Sequence, residues 1–179
     1  MKLLLFILLS ALTCQVNAQK LKKPKKDKKT GVTTTSTEDV RLTPHTTKIL
    51  WGKEYRSCSF QLNKTDTGSF YISIGGETDG YRFQMKRGDT VKLSLSNGSM
   101  LMLLAERDVK IRPHRGADDR IVSYWYNDCL LDENSVRLLK ENEVVKVGTS
   151  PSGINLHFSY TVDEKKKDAI KKAIALFAD

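Results

Sequence analysis

The sequence has few of the residues that usually carry metal or nucleophilic chemistry. It contains three histidines and three cysteines among 179 residues. His45, His114 and His157 stand apart, with none of the spacings typical of zinc ligands. No phosphate-binding glycine loop and no G-x-S-x-G nucleophile elbow occurs in the sequence. The sequence therefore predicts no catalytic residue, no metal and no cofactor, although a site assembled from distant residues stays open.

Long apolar runs are missing beyond the N-terminus. A short positive start, Met1-Lys2, precedes an apolar run over residues 3–12, and small residues follow at 16–18. This order predicts a secretory signal peptide over residues 1–18. Because the run is shorter than the roughly 20 residues of a membrane span, we expect an exported protein with no transmembrane segment in its mature form.

Cys14 leaves a lipoprotein alternative, in which an acylated cysteine at the cleavage site would anchor the product to a membrane. The preceding residues fit that signal poorly. A leucine is usual where Ala11 stands, and a smaller residue where Thr13 stands. We therefore expect no lipid anchor.

The basic charge is concentrated near the N-terminus. The chain has 30 Lys and Arg and 21 Asp and Glu, which gives a net charge of +9. Residues 1–29 hold eight lysines and one acid, so residues 30–179 hold 22 bases and 20 acids, a net charge of +2. Export and this small charge on the folded body both argue against nucleic acid as a partner.

A disordered basic and Thr-rich linker is predicted over residues 19–47, because crowded lysines repel one another and bury nothing. Two roles stay open: attachment to an anionic envelope surface, or a solvated spacer whose charge matters little. The lysines concerned are Lys20, Lys22, Lys23, Lys25, Lys26, Lys28 and Lys29.

Residues 48–179 have the length of a single domain, and the first half predicts strands. Apolar and polar residues alternate over residues 55–62 and 70–74, as in half-buried strands. Gly75-Gly76 is expected to end the second of these strands in a turn.

The sequence VKLSLSNGSMLMLL predicts a β-hairpin. Asn97-Gly98 favours a two-residue type I′ turn, which would pair Leu95 with Met100. That register puts Leu101 and Leu103 on an otherwise polar face, which then needs cover from within the chain or from a partner. A second copy of the chain or an envelope protein is the expected partner.

Two helices are predicted in the second half. Asp132 is a good N-cap for a short helix near 133–141, and a lysine-rich C-terminal helix is predicted near 164–178, after further strands. Strands followed by helices without strict alternation predict an α+β fold. We expect a mainly antiparallel curved sheet, either an open barrel or sandwich-like.

The segments GDTVKLSLSNG (residues 88–98) and YWYNDCLLDENSVRLLKENEVVKVGTS (residues 124–150) carry a resemblance to a protein group. In this order, and followed by a strand and a lysine-rich helix, they resemble small exported proteins of uncharacterised function from Bacteroidota, over about residues 80–179. The resemblance implies a periplasmic or extracellular location and implies no activity or binding residue.

Two segments offer candidate ligand-binding residues. Arg112, His114, Arg115 and Arg120 cluster in a predicted loop, which could hold a carboxylate, a phosphate or a sulfated sugar. Acidic residues at 118–119 could neutralise this loop, so a solvated charged loop is the alternative.

The aromatic run Tyr124-Trp125-Tyr126 could offer a stacking platform for a sugar ring. In a strand, Tyr124 and Tyr126 would share the face opposite Trp125, so at least part of the run belongs to the core.

Cys58 and Cys129 are the two cysteines of the mature chain. Export permits a disulfide between them, and two buried thiols are the alternative.

Two functions from different classes stay open. The favoured one is an exported non-catalytic binding or structural module of the bacterial cell envelope, tethered or steered by its basic N-terminal segment. The alternative is a small envelope hydrolase or hydrolase inhibitor that acts through residues 106–126.

Overall fold

The computed structural model describes residues 19–44, 57–115 and 121–177. Most of them lie in antiparallel strands, with two short helices, which confirms the α+β class and the mainly antiparallel curved sheet. The strands are β1 Lys25–Lys26, β2 Thr33–Ser36, β3 Val40–Arg41, β4 Cys58–Thr65, β5 Phe70–Asp79, β6 Phe83–Met85, β7 Thr90–Leu95, β8 Met100–Leu104, β9 Val109–Ile111, β10 His114–Arg115, β11 Ile121–Leu131, β12 Val144–Ser150 and β13 Phe158–Thr161. The helices are α1 Glu133–Glu141 and α2 Ala169–Ala175, the latter preceded by a 3₁₀ turn, Glu164–Lys166.

The larger sheet has the order β1-β2-β4-β5-β11-β10, and β3 also pairs with β4. The central strand β5 is paired along nearly its whole length with β4 on one side and β11 on the other. Alternate residues of these strands point into the core; one such row joins Phe60 to Ile74, and the next joins Leu62 to Ile72. The intervening residues form an outward face.

The smaller sheet has the order β13-β12-β7-β8, and β6 pairs with β9 as a separate ribbon. Two seams join the smaller sheet to the larger one. At one seam Ala105 forms an antiparallel bridge with Cys129, and at the other the Asp163 N–H donates to the Leu42 carbonyl at 2.8 Å. The strands therefore curl as a half-barrel around one apolar core.

The helices pack against each other and against the larger sheet. The Asp132 carboxylate accepts a hydrogen bond from Ser135 N at 2.7 Å, which is the N-cap contact that begins α1. Beyond α2, the Phe177 ring meets the Phe70 ring edge to face at 5.5 Å. Burial of Ile170 and Ile174 from α2 extends the core at this end.

The hairpin register predicted from Asn97-Gly98 is wrong by one residue. Leu95 N–H donates to the Ser99 carbonyl and Gly98 N–H donates to the Leu95 carbonyl, so the loop has three residues rather than two. Gly98, with φ of 83°, supplies the left-handed residue of such a loop. The Asn97 side chain stabilises it by accepting from Ser99 N at 2.9 Å.

This shift exchanges the two faces of β8. Leu101 and Leu103, predicted to need cover from within the chain or from a partner, are 8% and 3% exposed and belong to the core. Met100, Met102 and Leu104 are instead 57%, 59% and 56% exposed. The possible partner face at Leu101 and Leu103 is therefore not found, and the alternative of cover from within the chain is, because a one-residue slip inverts every side chain of a strand.

Gly75-Gly76 does not form the predicted turn, since β5 continues through both residues to Asp79. The two glycines are required by close packing. A Cβ at Gly76 would lie 2.6 Å from the Tyr160 ring, and a Cβ at Gly75 would lie 2.6 Å from Tyr126 Cβ. The missing side chains thus let the strand pass between neighbours on both of its faces.

The N-terminal segment differs from the expected disordered linker. Strand β1 pairs with β2, and β2 and β3 both pair with β4, so this segment extends the larger sheet. The Thr-rich stretch satisfies its backbone through strand pairing, and β-branched threonines suit a pleated surface. The lysines predicted to be solvated are indeed exposed, but on a hairpin.

Cys58 and Cys129 are both buried and unbridged. They pair with Gly76 and Ile72 of β5 respectively, from opposite sides of that strand. Four residues of strand span about 13 Å, whereas a disulfide needs Cα atoms within about 7 Å. The alternative of two buried thiols is the one found.

The predicted signal peptide, Cys14 and Arg120 lie outside the described residues. None of the helices in the described ranges has the length and apolar composition needed to cross a membrane.

Candidate functional site

A groove of about 490 Å³ lies on the outward face of the larger sheet. Its floor comes from alternate residues of β4, β5 and β11, whose partners on the other face form the core. The floor is made of small polar side chains and a glycine, with tyrosines at one side. The residues that carry the argument are Ser59, Gln61, Ser73, Gly75, Tyr124 and Tyr126.

A chain of hydrogen bonds crosses the sheet at the end of this groove. Ser36 Oγ donates to Asn63 Oδ1 at 2.7 Å, and Asn63 Nδ2 donates to Ser73 Oγ at 2.9 Å. Ser73 Oγ in turn donates to Asp128 Oδ1, and the other carboxylate oxygen of Asp128 lies 3.0 Å from the Arg107 guanidinium. The network fixes these polar groups before any ligand binds.

The tyrosines are held at the groove by cationic or aromatic neighbours. The guanidinium of Arg107 lies over the Tyr126 ring at 4.7 Å from its centroid. The ring of His114 stacks on Tyr124 at 4.9 Å. Tyr124 Oη also donates to the Glu77 carboxylate at 3.3 Å. Both rings are about half exposed and line the groove.

Trp125 supports the groove from beneath. Its side chain is 1% exposed, and its Nε1–H donates to Tyr160 Oη at 2.7 Å. Tyr160 Oη donates to the Glu77 carbonyl at 3.0 Å, so the pair ties β13 to β5 and β11 inside the core. The prediction that Trp125 lies opposite Tyr124 and Tyr126 is confirmed.

The N-terminal segment forms the opposite side of the groove, where Lys22 and Asp39 line it. It is anchored through Thr37, which is fully buried. Thr37 Oγ1 accepts from Leu62 N at 3.0 Å, and the Thr37 carbonyl accepts from Gln61 Nε2 at 2.7 Å. Gln61 is thereby oriented along the groove floor.

A second cavity of about 390 Å³ adjoins the groove and shares Ser73 and Asp128 with it. It is lined by further polar groups, among them Asn63, Thr65 and Tyr71. Together the two cavities follow the chain from Ser57 along β4 to Thr65, a length of about 26 Å at the usual rise of a strand. The polar surface is therefore elongated, as a linear ligand requires.

The structure brings together only part of the predicted binding set. Tyr124 and Tyr126 line the groove, and His114 contacts Tyr124. Arg112 and Arg115 are exposed next to and within β10 and do not line the groove. The predicted loop is also partly regular, since it contains β9 and β10.

The sequence prediction missed the floor of the site, namely Ser59, Gln61, Ser73 and Asp128. Their signal was present in the alternation of β4, where the face opposite Cys58, Phe60 and Leu62 carries hydroxyl and amide groups. The sequence does not show that Gln61 and Asp128 pair with Ser73, because this requires β5 to continue through Gly75.

Within the described residues, no group of three or more His, Cys, Asp or Glu could hold a metal ion. A serine and a histidine do meet on the smaller sheet, where Ser150 Oγ lies 2.8 Å from His157 Nδ1. Ser150 ends β12 and His157 directly precedes β13, outside the groove, so this contact continues the pairing of the two strands by one residue.

Comparison with known proteins found no matching family model, no matching curated protein and no matching solved structure.

Proposed function

We propose that this protein is an exported, non-catalytic binding module of the bacterial cell envelope, and that its ligand is a linear envelope glycan held along the groove. The observation that carries the proposal is the elongated polar surface on the outward face of β4, β5 and β11. Hydroxyl, amide and tyrosine groups at fixed positions suit a ligand rich in hydroxyl groups.

The exposed lysines of residues 20–29 favour a glycan that carries acidic groups, whereas within the groove the cations Lys22 and Arg107 are matched by the carboxylates of Asp39 and Asp128. Lys22 stands on one side and Arg107 on the other, and Arg107 can turn from Asp128 toward a ligand carboxylate. The exposed lysines of residues 20–29 form a positive surface that extends beyond the groove. Their attraction would raise the local concentration of an anionic polymer and would weaken with salt.

The envelope location rests on the predicted signal peptide and on the resemblance to exported proteins of Bacteroidota. Both are properties of the sequence, and the groove chemistry agrees with them, because glycans are abundant at that location. The lysine-rich hairpin then acts as an electrostatic guide at an anionic surface, in place of the flexible tether expected from the sequence.

Calorimetric titration of the mature chain with peptidoglycan fragments and acidic envelope oligosaccharides of increasing length tests the proposal. We expect affinity to rise with length until both cavities are filled. Replacing Tyr126 by Ala should lower affinity roughly fivefold, the equivalent of the about 1 kcal/mol that one aromatic contact supplies. The matched control is Tyr81→Ala, an exposed tyrosine outside the groove.

Equal effects of Tyr126→Ala and Tyr81→Ala, or an absence of glycan binding, would contradict the proposal. Chromatography of the same mixtures distinguishes the alternative class. If shortened oligosaccharides appear after incubation with the unmodified chain, the protein is a hydrolase and not a non-catalytic binding module.

A further inference from the structure

A second surface of different chemistry lies on the outward face of the smaller sheet. Met100, Met102 and Leu104 project from β8 and are each more than half exposed; we refer to them as the apolar row. The Ala105–Cys129 bridge places Leu104 across from Leu130, which is also exposed. Surfaces with several adjacent exposed apolar side chains usually contact a partner.

Two lysines stand beside the apolar row. The strand register places Lys92 of β7 opposite Met102, and Lys146 of β12 opposite Ser94, which itself faces Met100. Within the described part of the chain, neither lysine forms an ion pair. The lysines therefore remain available to an external anion.

Inside the strands of this sheet no carboxylate stands at an outward position, and the nearest ones flank the face: Glu143, whose backbone pairs with Ser96, and Glu106, two residues beyond Leu104. Besides the apolar row and the two lysines, these positions carry small or hydroxyl side chains, namely Thr90, Ser94, Gly148, Ser150, Ser159 and Thr161. The face is thus apolar at its β8 edge, cationic next to it and uncharged beyond.

We propose that this face docks on a membrane surface that contains anionic phospholipids. The apolar row would enter the boundary between head groups and acyl chains, while Lys92 and Lys146 would contact lipid phosphates. The apolar row lies beside the two lysines, just as the acyl chains of a phospholipid lie beside its phosphate group.

The same charges disfavour a second copy of the chain as the occupant. Two copies packed face to face would bring four lysines together, with carboxylates only at the borders of the face, at Glu106 and Glu143. The apolar row also has only three side chains, whereas each partner in a stable protein interface usually contributes about 20–30 residues.

Sedimentation of the mature chain with phosphatidylglycerol–phosphatidylcholine vesicles, and with phosphatidylcholine vesicles alone, tests this docking face. The measurement is made at about 0.5 M salt, where screening suppresses attraction to the lysine-rich hairpin. The M100S/M102S/L104S variant should lose about tenfold or more in partition coefficient, because its apolar contacts with the acyl region are removed. Ile121→Ser is the matched control, since Ile121 is equally exposed but lies on β11.

The effect of the two lysines is measured at about 0.1 M salt, in a chain whose seven lysines of residues 20–29 are replaced by Gln, because 0.5 M salt would screen Lys92 and Lys146 as well. In that chain Lys92→Gln with Lys146→Gln should reduce the preference for phosphatidylglycerol and leave the weaker binding to phosphatidylcholine unchanged. Equal partitioning of the triple variant and the unmodified chain would overturn the proposal. Light scattering gives a second way to overturn it: a dimer that the triple variant converts to a monomer would assign the face to a second copy. The exchanged side chains are exposed, apart from the half-buried Lys92, and none belongs to the core, so nearly unchanged melting temperatures are expected.

Discussion

The two sheets carry outward faces of opposite character, although both are built from strands with the same alternation. On the larger sheet, hydroxyl, amide and tyrosine side chains line a groove and are tied together by hydrogen bonds. On the smaller sheet, an apolar row stands beside Lys92 and Lys146, which have no ion pair within the described residues. The difference shows that the outward side chains of an alternating strand need not all be ordinary solvated surface.

The two outward faces differ in shape, because other parts of the chain border only one of them. The N-terminal segment and Arg107 rise on either side of the larger sheet and make its face concave. The residues of the apolar row line neither the groove nor the cavity that adjoins it. A concave polar face suits a small or linear ligand, whereas an open apolar face suits an extended surface.

The largest effect on stability is expected at Trp125, which lies in the core directly beneath the groove. Trp125→Ala should lower the free energy of unfolding by about 3–5 kcal/mol, as for other large buried aromatics. The neighbouring exchange Tyr126→Ala should change it by less than about 1 kcal/mol, because that side chain is half exposed. Denaturant unfolding of both variants measures the contrast, and similar losses for the two would mean that Tyr126 is structural.

The second effect concerns the two faces of β8. Leu103→Ala should cost about 2–5 kcal/mol, because it leaves a cavity in the core. Leu104→Ala should change stability by no more than about 0.5 kcal/mol. Thermal unfolding of the two variants checks the register of β8 directly. A larger loss of stability for Leu104→Ala than for Leu103→Ala would support the two-residue turn instead of the three-residue loop.

The buried thiols should make stability fall at alkaline pH. Burial, aided by the charges of Asp128 and Glu106, raises the pKa of Cys129 from 9.0 to about 12. Burial also raises the pKa of Cys58 far above its usual range. Because the unfolded chain releases these protons first, the free energy of unfolding should decline as pH rises from about 9 to 12.

Alkylation gives an independent check on the same thiols. We expect no uptake of iodoacetamide by Cys58 or Cys129 in the folded chain at pH 8. Two labels should be taken up in denaturant without reductant. A native chain that is labelled rapidly would contradict the burial of both thiols.

The smallest effect on stability is expected at the lysine-rich hairpin. Replacing Lys25, Lys26, Lys28 and Lys29 by Gln should shift unfolding by no more than about 0.5 kcal/mol, since all four side chains are exposed. Binding to an acidic polysaccharide should weaken at low salt and stay nearly unchanged at about 0.5 M salt. Equal weakening at both salt concentrations would place these lysines inside the specific site.

The class of fold was predictable because hydrophobic periodicity alone distinguishes strands from helices. The alternation around Phe60 and the N-cap at Asp132 are local signals, and the structure has β4 and α1 at these places. The tyrosines of the groove were also predictable, since residues 124 and 126 must share a face in any strand.

The remaining features depend on contacts that a local pattern does not contain. The Gly75-Gly76 pair is typical of a turn, and only the Tyr160 and Tyr126 side chains reveal why glycine is needed in a strand. Likewise, Asn97-Gly98 permits more than one loop length, and burial of Leu101 and Leu103 favours the three-residue loop. The error at Gly75-Gly76 concealed the floor of the groove, and the error at Asn97-Gly98 exchanged the two faces of β8.

The most direct measurement is backbone amide NMR of the mature chain during titration with an acidic envelope oligosaccharide. We predict shift changes confined to the groove, at Ser59, Gln61, Ser73 and Tyr126, with the amides of β8 unchanged. Changes restricted to the lysine-rich hairpin or to β8, with a silent groove, would contradict a glycan-binding groove.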